Sequence, residues 1–117
     1  MMRSPTAATA RLTDLLARLR TATGPDAALD REIAEAMGGP ITGGEEAPAY
    51  TASLDRCFDL LHRIAPGWHW HVGFGVTGVL PYAALALGPQ RFEASAPTVP
   101  VALLSVILQA ARAKADA

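Results

Sequence analysis

Three histidines and an aspartate are the side chains whose types and spacing come nearest to chemistry. His69 and His71 stand two apart in Trp68-His69-Trp70-His71-Val72-Gly73-Phe74, where apolar and non-apolar residues alternate. On a β-strand that spacing sends both imidazoles out of one face, a workable pair of metal ligands. Asp59 and His62, three apart on a helix, would share a face and could complete a four-ligand set. Topology opposes this, because the helix precedes the strand and should cover its tryptophan face. The competing reading is that the histidines are polar residues of the second sheet face. No cofactor is expected.

Nucleophilic chemistry has less support. Cys57 falls on the apolar stripe of its helix, where burial raises a thiol pKa. Ser53 reads as a helix cap and Ser105 sits inside an apolar helix, so neither lies on a nucleophile elbow. Gly73, Gly75 and Gly78 spell Gly-x-Gly-x-x-Gly after a strand. A dinucleotide site needs a helix next, to aim its N-terminus at the pyrophosphate. A second strand follows here, so these glycines read as hairpin residues. No catalytic constellation emerges, and a non-enzymatic protein is expected.

The elements that position these residues follow from periodicity. Leu12, Leu15, Leu16 and Leu19 trace one helical stripe, capped by Thr6 or Thr9, with Asp14 and Arg18 paired outside. Gly24 ends that helix, and Pro25 opens the next at N1 with Asp26 in its first turn. Leu29, Ile33 and Met37 form its stripe and Arg31 pairs with Glu35, which makes an αα-hairpin. A Gly/Pro-rich loop occupies residues 38–49. Thr51 or Ser53 caps a third helix with the face Leu54, Cys57, Phe58, Leu61 and Ile64. A three-stranded antiparallel meander follows, over 68–74, 80–87 and 91–95, and then a helix capped by Thr98.

That last helix carries Val101, Leu103, Leu104, Val106, Ile107 and Leu108, apolar nearly all round. It must be sandwiched within the domain or partly covered by another subunit. The fold class is α+β, a single domain over 9–115 behind a disordered tail at 1–8. The layers expected are an α/β/α sandwich, or one sheet face completed by a second copy of the chain. The third and fourth helices are expected to cover the Trp68/Trp70 face.

Charge narrows the class of partner. The 117 residues carry a net charge of −1, and arginine outnumbers lysine nine to one, as in a GC-rich bacterial or phage genome. Residues 1–20 sum to +3 and residues 21–46 to −5. Two helices with complementary solvated faces would account for that split. The sharper reading is an acidic patch for a basic partner. Arg11 and Arg18 share a helical face, but four arginines beside an acidic helix make a weak footprint for nucleic acid. The lone Cys57 leaves no internal disulfide, and residues 1–10 lack the apolar core of a secretory signal. The longest apolar run, 99–111, is shorter than the ~20 residues that cross a bilayer. A cytoplasmic protein without membrane association is expected.

Several segments together resemble a family of small phage and prophage proteins, the phage ABA-sandwich domain. They are Thr23-Gly24-Pro25-Asp26, Leu29-Asp30-Arg31-Glu32-Ile33, Pro48-Ala49-Tyr50-Thr51-Ala52-Ser53-Leu54-Asp55 and Pro66-Gly67-Trp68-His69-Trp70, then the alanine- and leucine-rich last helix. The resemblance spans residues 11–114. The chain departs from the family pattern in the apolar 76–81 turn and in His69 and His71. The resemblance implies an α/β sandwich around a small sheet and no particular activity. With the small size and the lack of a catalytic set, it leads to a phage or prophage accessory protein that binds another protein. That protein would be a host factor, such as an antiviral-defence component, or a phage protein. The surfaces nominated are Glu32 and Glu35 on the second helix, Glu45 and Glu46 in the loop, and Val76, Val79, Leu80 and Tyr82 at the hairpin. The alternatives are metal binding by His69/His71 and self-association through the last helix.

Overall fold

A computed structural model describes residues 7–38, 46–74 and 80–116. Its elements are α1 (Ala7–Thr21), α2 (Ala27–Gly38), α3 (Leu54–Ile64), β1 (His69–Phe74), β2 (Pro81–Leu87), β3 (Gln90–Ser95) and α4 (Val99–Ala115). The class is mixed α+β, with the element order read from the sequence. The strands form one antiparallel sheet in the order β1-β2-β3. The expected tail at 1–8 lies largely outside the described residues, as does most of the 38–49 loop.

Local chemistry sets the helix ends. Asp26 is the cap of α2, its Oδ1 accepting the Leu29 N–H at 3.0 Å. Pro25 therefore precedes the cap rather than occupying N1. Ser53 caps α3 through the Arg56 N–H, and Thr98 caps α4 through the Val101 N–H. Thr51 has a different task. Its hydroxyl accepts the Asp26 N–H at 2.8 Å, and its own N–H donates to the Asp30 carboxylate at 2.7 Å. Asp30 is buried, so this pair ties the start of α2 to the approach of α3. Gly67, at φ +84°, turns the chain from α3 into β1, and Gly88, at φ +57°, joins β2 to β3.

The core is built around α4. Val101 to Leu104, Val106, Ile107 and Leu108 are fully buried. The helix packs on α1, α3, β2 and β3 of its own chain, which accounts for its all-round apolar surface. Of the two alternatives for such a helix, the structure shows the first: its apolar faces are covered within the chain. The four α1 leucines, Leu29 and Ile33 join the same core.

The covering of the sheet is uneven. Register places Trp70, Val72 and Phe74 beside Leu85, Ala83 and Pro81, with Phe92 and Ala94 next across. That face looks toward the helices. His69, His71, Tyr82, Ala84, Arg91 and Glu93 occupy the other face. Among the described residues no helix packs on that second face, so this chain completes the sandwich on one side of the sheet. On the helix side, α4 lies over β2 and β3 and barely reaches β1. The expected cover of Trp70 by α3 and α4 is only half present. Phe58 of α3 meets its ring at 4.6 Å, yet Trp70 stays 48% exposed.

Candidate functional site: the open edge of the sheet

The proposed ligand set does not assemble. His69 and His71 leave the outer sheet face, and His71 packs edge-on to Tyr82 at 5.9 Å. His62 stands on α3 beside Phe58, on the helical side of the sheet, and Asp59 pairs with Arg56. Among the described residues no three His, Cys, Asp or Glu side chains converge on a point that could hold a metal. His69 and His71 share the outer sheet face, as the two-residue spacing requires, while Asp59 and His62 stand on α3. Cys57 is fully buried and donates to the Tyr50 carbonyl at 3.1 Å. Burial, and secondarily the Asp30 charge, push its thiol up to about 12. A thiol held neutral in this way is a core residue, not a nucleophile. β1 leads into an antiparallel strand, so no βαβ unit stands behind the glycine pattern.

The charge asymmetry resolves within the molecule. Arg18 of α1 pairs with Glu32 of α2, and Arg11 reaches Glu35 at 3.2 Å. Arg31 also approaches Glu35, at 3.4 Å. The basic and acidic segments are neighbouring helices joined by these ion pairs. Glu32 and Glu35 are thus engaged acids, and Arg11 and Arg18 engaged bases. The expected Asp14–Arg18 pair gives way to Arg18–Glu32. Glu46 is exposed, while Glu45, Val76 and Val79 lie outside the described residues.

Of the hairpin residues nominated from sequence, Leu80 is 47% exposed. Tyr82 points to the outer sheet face. Its hydroxyl donates to Glu93 Oε1 at 3.0 Å and accepts from Arg91 Nη2 at 3.1 Å. Arg91 Nε also donates to Glu93 at 2.7 Å. These bonds, the one from Arg91 first, hold the Glu93 carboxyl below the ordinary carboxylate range. Tyr82 therefore belongs to a polar lattice over β2 and β3 and is not a free apolar contact.

The feature that sequence reasoning missed lies on β1. Trp70 and Phe74 alternate onto the helix side of the sheet, but the helices do not extend far enough to cover them. Phe74 is 66% exposed, the most of any large apolar residue described. Its partner across the sheet is Pro81, next to exposed Leu80. Trp70 and Phe74, with half-buried Val72 between them and Phe58 against the Trp70 ring, form an apolar corner at a sheet edge. The outer side of β1 has no strand partner among the described residues. Alternation told which face these side chains share but not where the helical cover ends. The exposed corner could have been suspected from the surplus of aromatic residues over helix surface available to bury them.

Two recesses lie elsewhere. A groove of about 380 Å³ between Ile64, Pro66, Trp68, Leu87 and Lys114 is mainly apolar. A polar cleft of about 420 Å³ separates β3 from α1 and α4, with Arg20 and Arg112 among its walls. Neither brings together an acid, base or nucleophile in reacting geometry. Comparison with protein-family models, curated proteins and solved structures gives no match for this chain.

Proposed function

We propose that this chain is a non-enzymatic accessory protein that works by binding another protein, through the β1 edge and the Trp70/Phe74 corner. The observation that carries the reading is the exposure of Trp70 and Phe74 along a strand edge that has no partner among the described residues. The largest exposed apolar patch on a monomeric protein is often functional. An exposed strand edge offers a row of backbone donors and acceptors to an incoming extended segment. Backbone pairing would supply affinity, and the aromatic corner would supply selectivity.

The phage or prophage setting, with a host factor such as an antiviral-defence component as partner, is supported by the family resemblance of residues 11–114. Glu32 and Glu35 of the acidic helix pair with α1 and keep part of their surface exposed. Affinity capture of the tagged chain from its host's lysate, with the Phe74→Glu variant in parallel, tests the reading. One stoichiometric protein retained by the parent and lost by the variant is expected. Equal retention by both would place binding elsewhere on the molecule.

A further inference from the structure

β1 and β3 are the two edges of the sheet, and only one is guarded. β3 carries Arg91 and Glu93, and the cleft walled by α1 and α4 lies beside it. Charges and flanking elements of this kind keep edge strands from pairing. β1 has no Asp, Glu, Lys or Arg between residues 69 and 74, no proline, and an unbroken register with β2.

We propose that the occupant of this edge is a second copy of the chain, with the two β1 strands paired antiparallel about a two-fold axis at Val72. This rests on the reading of the β1 edge as a docking surface, and there a second copy competes with the other protein proposed above. A two-fold axis normal to the sheet lays two identical edges antiparallel with like faces on the same side. With the axis at Val72, that residue meets its own counterpart. Trp70 meets the partner subunit's Phe74, and Phe74 meets the partner subunit's Trp70. The Trp70 ring, already against Phe58 at 4.6 Å, gains an aromatic neighbour on its open side. On the outer face each His71 lies opposite a glycine, the partner subunit's Gly73, which leaves room for the imidazole. An axis at His71 would instead oppose two imidazoles and leave Phe74 beyond the end of the partner strand.

Charge and area point the same way. Two β1 edges free of acids, lysines and arginines do not repel each other. Trp70 is 48% and Phe74 66% exposed. At roughly 150–250 Å² per aromatic side chain, two copies would remove on the order of 400–500 Å² of aromatic surface from water. The paired backbone adds to this, and the total stays below the ~1,200 Å² at which stable, specific interfaces begin. The dimer is therefore a weak, concentration-dependent one.

Sedimentation velocity on the intact chain, from about 1 μM to about 1 mM, tests this. The mass should rise from 12.2 kDa toward twice that value. Phe74→Glu, at a solvent-facing position, should move the midpoint up at least about ten-fold, the equivalent of ~1.4 kcal/mol. Val72→Cys should cross-link to a dimer under mild oxidation, because directly opposed Cα atoms lie about 4.5–5.5 Å apart. His71→Cys should cross-link far more slowly, and buried Cys57 should not contribute. A monomer at every concentration overturns the proposal. So does a dimer that cross-links through His71→Cys in preference to Val72→Cys, or through neither. If the chain stays monomeric while Phe74→Glu still abolishes capture of another protein, the second copy falls and the docking surface stands. If Phe74→Glu changes neither, both fall.

Discussion

β3 and β1 are edge strands of one antiparallel sheet, six residues each, and each leaves a row of backbone groups without a strand partner among the described residues. Their surroundings differ. Beneath β2 and β3 lies α4, which buries Ala83 and Leu85 completely. Above them, Arg91, Glu93 and Tyr82 bond to one another across the outer face. Phe58 meets the Trp70 ring of β1, α4 barely reaches this strand, and Phe74 is left 66% exposed. The same alternating pattern thus produces a finished core on one side of the sheet and an unfinished one on the other. Alternation dictates which side chains share a face. The reach of the helices dictates which of them are dry.

The largest difference between the two regions should appear in stability. Leu85→Ala removes a fully buried side chain under α4 and should cost about 2–5 kcal/mol in urea unfolding. Phe74→Ala, at concentrations where the chain is monomeric, should change stability by less than about 0.5 kcal/mol. Equal losses would mean that Phe74 is part of the core and that the corner is not open.

A second experiment exchanges the character of the edges. Replacing both Arg91 and Glu93 by valine strips β3 of its charges while keeping strand propensity. With two unguarded edges, sheets can extend in both directions, so light scattering should report species well above a dimer. Unchanged mass would show that the charges are not what guards β3.

The smallest effect is a titration. Because Glu93 is held below the ordinary carboxylate range, its stabilising contribution is present above the unfolded-state value of about 4.3. It is lost as pH falls through the lower folded-state value. The carboxyl resonance of Glu93 should therefore titrate below that of a free glutamate. Arg91→Gln should move the midpoint back most of the way and Tyr82→Phe by less, matching the order of their contributions. A normal midpoint in the parent chain would mean that the polar lattice does not persist in solution.

Much of the fold was legible because periodicity reports on burial. The stripes Leu12-Leu15-Leu16-Leu19 and Leu29-Ile33 define helical faces that the structure buries, and Ser53 and Thr98 cap as their side chains suggest. The meander followed from Gly88-Pro89 and from inward Phe92 and Ala94. Less accessible were features that depend on two distant segments. Arg18 prefers Glu32 over Asp14 because the α1/α2 hairpin brings them together. Thr51 serves Asp26 and Asp30 instead of capping α3 for the same kind of reason. The central place of α4 and the shortfall of cover at β1 depend on how helices stack, which a one-dimensional pattern does not encode. Histidine spacing correctly put His69 and His71 on one face, but only topology shows that His62 is on the other side of the sheet.

Amide hydrogen exchange, followed strand by strand at low and high protein concentration, tests the account most directly. If a second chain pairs with β1, the amides of residues 69–74 should become more protected as concentration rises, while those of β3 should not change. Protection of β1 and β3 that is alike and independent of concentration would contradict the assignment of the open edge as the place where this protein meets its partner.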